Sequence, residues 1–203
     1  MTPKVFIRTY SELKMEVTSG RYKPGQRLQA RPLADVLRAS TSPITNAMRQ
    51  LVGEQILEYT ADDGFIFPWV TERRLRDLLS WTAWLTTAAF EDPETAHSLP
   101  FPDDADAASA DLVEMTERLF LNFAGASPNS DHVWSITNSN DRLRPIRMLE
   151  ANLFADRTEE LTALAEPWKD RNRPALRRAL VRYHKRRLDA VSQLIGLSYQ
   201  DRR

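Results

Sequence analysis

Ser40-Thr41-Ser42-Pro43-Ile44-Thr45-Asn46, followed by Arg49, concentrates hydroxyl, amide and guanidinium groups in one short stretch. Such groups hydrogen-bond to phosphate oxygens and to base edges, and a guanidinium grips both acceptors of a guanine at once. Bond-breaking chemistry has no comparable cluster. The chain has no Gly-rich phosphate loop, no Gly-x-Ser-x-Gly elbow and no His-Glu-x-x-His. Asp103-Asp104 and Glu159-Glu160 are adjacent pairs, so neither projects together from one helix face. Cysteine is absent, which excludes disulfides, thiolate zinc sites and cysteine nucleophiles. His97 and His132 lack spaced partners, and an enzyme is not expected.

These residues sit in a chain of 203 residues, enough for one large domain or two small ones. With 42% hydrophobic and 28% charged residues, the composition is that of a soluble globular protein. The formal charge is zero but unevenly spread. Residues 1–74 hold 11 basic and 8 acidic side chains, residues 75–167 hold 6 and 17, and residues 168–203 hold 11 and 3. A polyanionic partner therefore remains compatible with a neutral total, because the field is local. No apolar run approaches the roughly 18 residues of a membrane span, and Met1–Tyr10 has no signal-peptide core. A cytoplasmic protein without membrane contact is expected.

The spacing of apolar residues predicts helices over Tyr10–Ser19, Gln29–Leu37 and from Pro43 to about Glu54. Gly20 stops the first, Pro24-Gly25 marks a turn, and Ser40 to Ser42 offer capping hydroxyls ahead of Pro43. Leu57–Thr60 and Phe65–Trp69 read as strands joined by Asp62-Asp63-Gly64. A long helix follows from Glu72 to Phe90, its apolar face widened by Trp81 and Trp84, and Glu91–Ala105 reads as a solvated linker. Further helices are predicted over Ala107–Ala124, Asp131–Ser139, Leu143–Phe154, Thr158–Lys169 and Pro174–Ile195, the last capped by Asn172 and stopped by Gly196. Its basic residues, Arg177 to Arg187, read as a charged outer face whose partners lie in the acidic middle segment.

The expected fold is mainly α: a winged helix-turn-helix over residues 1–70, then an all-α helical bundle domain over residues 71–203. In the winged plan the third helix enters the major groove while the wing grips phosphates. A plain three-helix bundle with a hairpin is the alternative. The residues add to that plan. Leu13, Gly20, Pro24-Gly25, Arg27-Leu28, Leu33-Ala34, Leu37, Ser40, Pro43-Ile44, Ala47-Met48 and Leu51 stand in an ordered pattern, followed by Gly53-Glu54, Ile56-Leu57 and Asp63-Gly64. The pattern resembles the DNA-binding domain of the GntR family of bacterial regulators. The helices beyond it resemble that family's FadR-type effector-binding and dimerisation domain, here shortened and degenerate, with Ala126-Ser127-Pro128-Asn129 close to a family motif.

The resemblance implies a homodimer on double-stranded DNA, with Arg31, Ser40, Thr41, Ser42, Thr45, Asn46, Arg49 and Gly64 at the interface. Thr41 and Thr45 stand where the family usually carries arginine, so its usual guanine contacts are missing. A protein-interaction scaffold that keeps the winged fold is therefore the competing reading. Many FadR-type domains hold a metal through one aspartate and three histidines. The corresponding positions here are Thr116, Phe120, Leu161 or Thr162, and His184, which leaves a single imidazole, and neither metal nor cofactor is expected. Trp81 and Leu85 take the places of a family arginine and glutamate, so the pocket turns apolar or fills. A small-molecule effector, apolar or carboxylate, would meet Asn129, Arg144, Arg147 and His184.

Overall fold

The computed structural model describes residues 3–89 and 111–200. The predicted linker Glu91–Ala105 and His97 lie outside the described residues. The chain begins with α1 (Pro3–Thr18), α2 (Ala30–Val36) and α3 (Thr41–Gly53), then the antiparallel strands β1 (Glu58–Thr60) and β2 (Gly64–Ile66). Helices follow: α4 (Glu72–Ala88), α5 (Leu112–Gly125), α6 (Asp131–Leu149) with a 3-10 turn at Glu150–Asn152, α7 (Arg157–Lys169), α8 (Arg173–Asp189) and α9 (Val191–Tyr199). The protein is therefore mainly α, a winged helix-turn-helix followed by a helical bundle.

The winged unit closes over Leu13, Val17, Leu33, Ile44, Met48 and Leu51, which are all buried. Each large apolar chain removed from water contributes about 1.5–3 kcal/mol, so this cluster holds three short helices that could not persist alone. The pairing of β1 with β2 sets Tyr59 opposite Phe65 and Thr60 opposite Gly64. The segment before α2 adds a third, shorter arm. Gly25 N donates to Phe67 O (2.8 Å), Phe67 N to Gln26 O (2.8 Å) and Leu28 N to Phe65 O (2.9 Å). Sequence reading gives that segment only a turn. Gly25 has φ +78°, and a Cβ there would stand 2.2 Å from the Trp69 ring, so glycine is required twice over.

The bundle has two apolar clusters. One joins Leu85, Phe120, Phe123, Ile136, Leu164 and Leu180; the other joins Leu75, Leu79, Leu143, Ile146, Phe154, Val191 and Leu194. Two expectations are corrected here. The helices predicted over Asp131–Ser139 and Leu143–Phe154 are one, α6, which runs through Pro145. A proline forfeits a single hydrogen bond, and here the polar Asn140 is drawn inside by a tertiary partner, the Glu117 carbonyl. The helix predicted over Pro174–Ile195 is two, broken at Ala190, and Gly196 does not stop it. Trp81 and Trp84 also leave the apolar face of α4. They stack on each other with ring centroids 5.1 Å apart and are 46% and 57% exposed, while Leu75, Leu79, Thr82, Leu85 and Thr86 face inward.

Candidate nucleic-acid interface

The inner stripe of α3 is Pro43, Ile44, Ala47, Met48 and Leu51. That burial forces Ser42, Asn46, Arg49 and Gln50 outward, with Thr45 half-buried beside them. Ser40 takes the N-cap position in extended conformation, yet its side chain makes no capping hydrogen bond. The predicted hydroxyl cap is thus not made, and the first N–H groups of α3 are left without that partner. A helix start of this kind receives phosphate oxygens. Thr41 and Ser42 flank it and are exposed. Thr45 Oγ1 donates back to Thr41 O (2.9 Å), and Arg49 Nη1 donates to Asn46 Oδ1 at 3.3 Å, a long bond on an exposed surface. Arg31 is exposed in the first turn of α2.

The wing turn carries two acidic residues, which would repel a phosphate backbone. Arg27 offsets one of the two: its guanidinium is bonded to the Asp63 carboxylate and to the backbone carbonyl Asp62 O (2.9 Å). Gly64, at φ +69°, lets the strand restart after that turn, and a side chain there would meet nothing within 4 Å. The role of Arg27 escaped sequence reading, where it counted only as part of the family pattern.

Of the four effector candidates, Arg147 and His184 line one small recess against Phe120, and Asn129 stands apart from them. Asn129 is exposed in the turn before α6, where its Oδ1 accepts from Asp131 N (3.0 Å). Arg144 and Arg147 lie 15 and 18 residues further on, about 22 Å or more along a helix. Arg144 is bonded to Glu117, and Arg147 donates to Asn140 Oδ1 (2.9 Å). Burial pushes the Glu117 carboxyl upward, against the pull of Arg147 and Arg144. His184 is buried, with Nε2 2.9 Å from Thr86 Oγ1. The Thr86 hydroxyl already donates to Thr82 O (2.9 Å), so Nε2 carries the imidazole proton and Nδ1 is bare.

The residues around His184 do not fit a metal. The Phe120 ring lies 5.8 Å from the imidazole, and the guanidinium groups of Arg147 and Arg187 repel positive charge there. Among the described residues no group of three or more His, Asp or Glu side chains converges. Arg187, expected on an outer face, is instead buried. Its Nη2 stands 2.8 Å from both Glu150 Oε2 and Glu160 Oε2, its Nη1 donates to Tyr183 O (3.0 Å), and its guanidinium lies on the Tyr183 ring. Arg186 keeps the expected outer position, paired with Asp156 and Glu160.

Comparison with known proteins bears on this surface. Residues 7–66 match the model of bacterial regulatory proteins of the gntR family. The Nta operon transcriptional regulator of Aminobacter aminovorans is 23% identical over 167 residues, 70% of this chain and 80% of that protein. An uncharacterized HTH-type transcriptional regulator of Bacillus subtilis, YdhC, is 30% identical over 73 residues, 36% of this chain and 33% of YdhC. Among solved structures, E. coli McbR/YncC superposes with a TM-score of 0.72 at 20% identity, covering 95% of this chain and 99% of its own. A GntR regulator from Rhodococcus sp. RHA1 gives the same TM-score at 13% identity, covering 95% and 98%. At these identities the structural likeness speaks for the fold. No described helix is long and apolar enough to cross a membrane.

Proposed function

We propose that this chain, a DNA-binding transcription regulator of the GntR type and not an enzyme, binds a palindromic operator in double-stranded DNA as a homodimer. The observation that carries the reading is the start of α3, uncapped and flanked by exposed hydroxyls, continuing into an outward face of Asn46 and Arg49. That is a surface for phosphates at one end and base edges along its length. Arg31 and the wing, whose Asp63 is paired with Arg27, flank it. The helical domain is read as a FadR-type domain that has lost its metal set, its interior filled by Phe120, Leu161 and the Arg187 network. The exposed Trp81–Trp84 stack supports a dimer through α4, since paired tryptophans rarely stay in water and are favoured at interfaces. Regulation by repression and residence in the cytoplasm are expected from this type of protein.

Mobility shift against genomic fragments, with light scattering for mass, tests the reading. A dimer that prefers one fragment, with affinity falling steeply as salt rises, is the expected result. A monomer without preference would point to the scaffold reading.

The two arginines separate base reading from phosphate grip. Arg31→Ala and Arg49→Ala are each expected to weaken operator binding by about 1–3 kcal/mol where the guanidinium meets a base. A base-substitution series then tells the two apart. Loss confined to one base position marks a base contact, and loss independent of sequence marks a phosphate contact. No change in either variant would remove α2 and α3 from the interface.

A further inference from the structure

Between the winged unit and the bundle lies a cavity of about 90 Å³. Ile56 and Phe67 form its wall on the DNA-binding side, and Leu78 and Ile146 its wall on the bundle side. Three charged residues also line it, Arg74, Asp141 and Arg142. Arg74 is satisfied by Glu58 and by Trp69 O (3.4 Å). Arg142 is half-buried and has no hydrogen-bond or ion-pair partner among the described residues. The neighbouring carboxylate, Asp141, is held at 2.9 Å by Lys14, which also binds Glu54 at 2.8 Å. A guanidinium partly withdrawn from water without a counter-charge is costly. Its burial and the facing Arg74 both work against its charge.

We propose that this junction cavity is a binding site for a small monocarboxylate, with Arg142 as the partner of the carboxylate and the apolar walls around its hydrocarbon part. An organic acid suits the recess better than an inorganic anion, because most of what faces it is aliphatic or aromatic. A cavity of 150 Å³ accommodates a benzene ring, so this one admits on the order of four carbon atoms. The hydrocarbon parts of isobutyrate and isovalerate, three and four carbon atoms beyond the carboxylate, have that size.

The site is placed to act on the angle between the two domains. The Lys14 clamp joins α1 to α6, and Trp69 stacks on Tyr199 of α9 with ring centroids 6.4 Å apart. A molecule in the cavity touches both domains at once and favours the separation that fits it. This effect on operator affinity rests on the regulatory reading above. Binding of the acid does not, and it is measured without DNA.

The test is thermal unfolding and calorimetric titration of the full chain with isovalerate, isobutyrate, isobutyramide and inorganic phosphate. The two acids at millimolar concentration are expected to raise the melting temperature by about 2–4 °C. Isobutyramide and phosphate should leave it unchanged. Arg142→Gln should weaken acid binding about tenfold to a hundredfold, because a charge-assisted contact is lost. Without acid the same variant should melt at or above the wild-type temperature, since it removes an unpaired, half-buried charge. Arg142→Lys should retain part of the affinity. Absence of binding by both acids, equal binding by isobutyramide, binding of phosphate alone, or acid binding unaltered in Arg142→Gln would each overturn the proposal. With the site established, operator affinity that does not move under saturating isovalerate would overturn the coupling alone. Absence of any operator would instead defeat the regulatory reading.

Discussion

Arg187→Met should destabilise the protein by about 3–5 kcal/mol, more than any single change at the DNA-facing surface. The side chains of Arg187 and Glu150 are only 4% and 6% exposed, and Glu160 approaches from α7. Removing the guanidinium leaves the Glu150 carboxylate inside the bundle without its cation. Desolvation of that carboxylate, rather than the lost attraction itself, sets the size of the effect. Glu160 suffers less, because Arg186 remains beside it at 3.5 Å. The double variant Arg187→Met, Glu150→Leu should therefore recover most of the loss, since a buried pair replaced by apolar groups of similar volume is close to neutral. Urea unfolding of both variants measures this. A single variant costing under about 1 kcal/mol, or a double variant no better than the single, would mean that Glu150 is not sealed from water.

The same arginine shows where sequence reading stops. Leu176, Leu180, Tyr183, His184, Arg187 and Val191 follow one stripe of helical spacing, and all are buried. The spacing of the apolar members was legible, but sequence reading placed Arg187 on the outer face. Its burial had no local signal, because only Glu150 and Glu160, distant in sequence, make it tolerable. Arg186, one residue earlier and about 100° around the helix, stays outside. The winged unit was easier to read because its punctuation is local. Gly20, Pro24-Gly25 and Asp63-Gly64 fix turns through their own backbone preferences, and the structure gives Gly20, Gly25 and Gly64 positive φ. Its helix boundaries accordingly fall close to prediction, except at α1, which begins at Pro3 rather than Tyr10.

Long-range pairing explains the remaining differences. The polar run Ser139-Asn140-Asp141 looks like a break between helices, but its partners lie elsewhere: Asn140 Nδ2 donates to Glu117 O (3.1 Å) and Asp141 meets Lys14. Gly196 looks like a stop, yet α9 carries it on a side where a Cβ would meet nothing within 4 Å, at a cost of about 1 kcal/mol relative to alanine. The tryptophans of α4 satisfied the apolar pattern equally well inside or outside. The position of the α6 cation Arg142 in the domain junction has no local signature at all.

Acid should weaken the folded protein through His184, beginning below about pH 6.5. Burial drives its imidazole down to about 3, and the nearby Arg187 and Arg147 charges push the same way. The hydrogen bonds agree. With Nε2 donating to Thr86 and Nδ1 lacking a partner among the described residues, a second proton would create a buried donor with nowhere to point. The native state therefore keeps the ring neutral while the unfolded chain, with an ordinary pKa near 6.5, takes up a proton. Between those two values the unfolded state binds more protons, so stability from this residue is complete above about pH 6.5 and falls as pH drops toward 3. The slope is about 1.4 kcal/mol per pH unit, or roughly 2 kcal/mol between pH 6.5 and 5. His184→Gln retains a side-chain donor toward Thr86 and cannot titrate. Chemical denaturation at several pH values should show the variant losing less stability than the wild type over that interval, by about that amount. Equal slopes in the two proteins would mean that the native imidazole accepts its proton at an ordinary pH, and hence that water reaches Nδ1 inside the bundle.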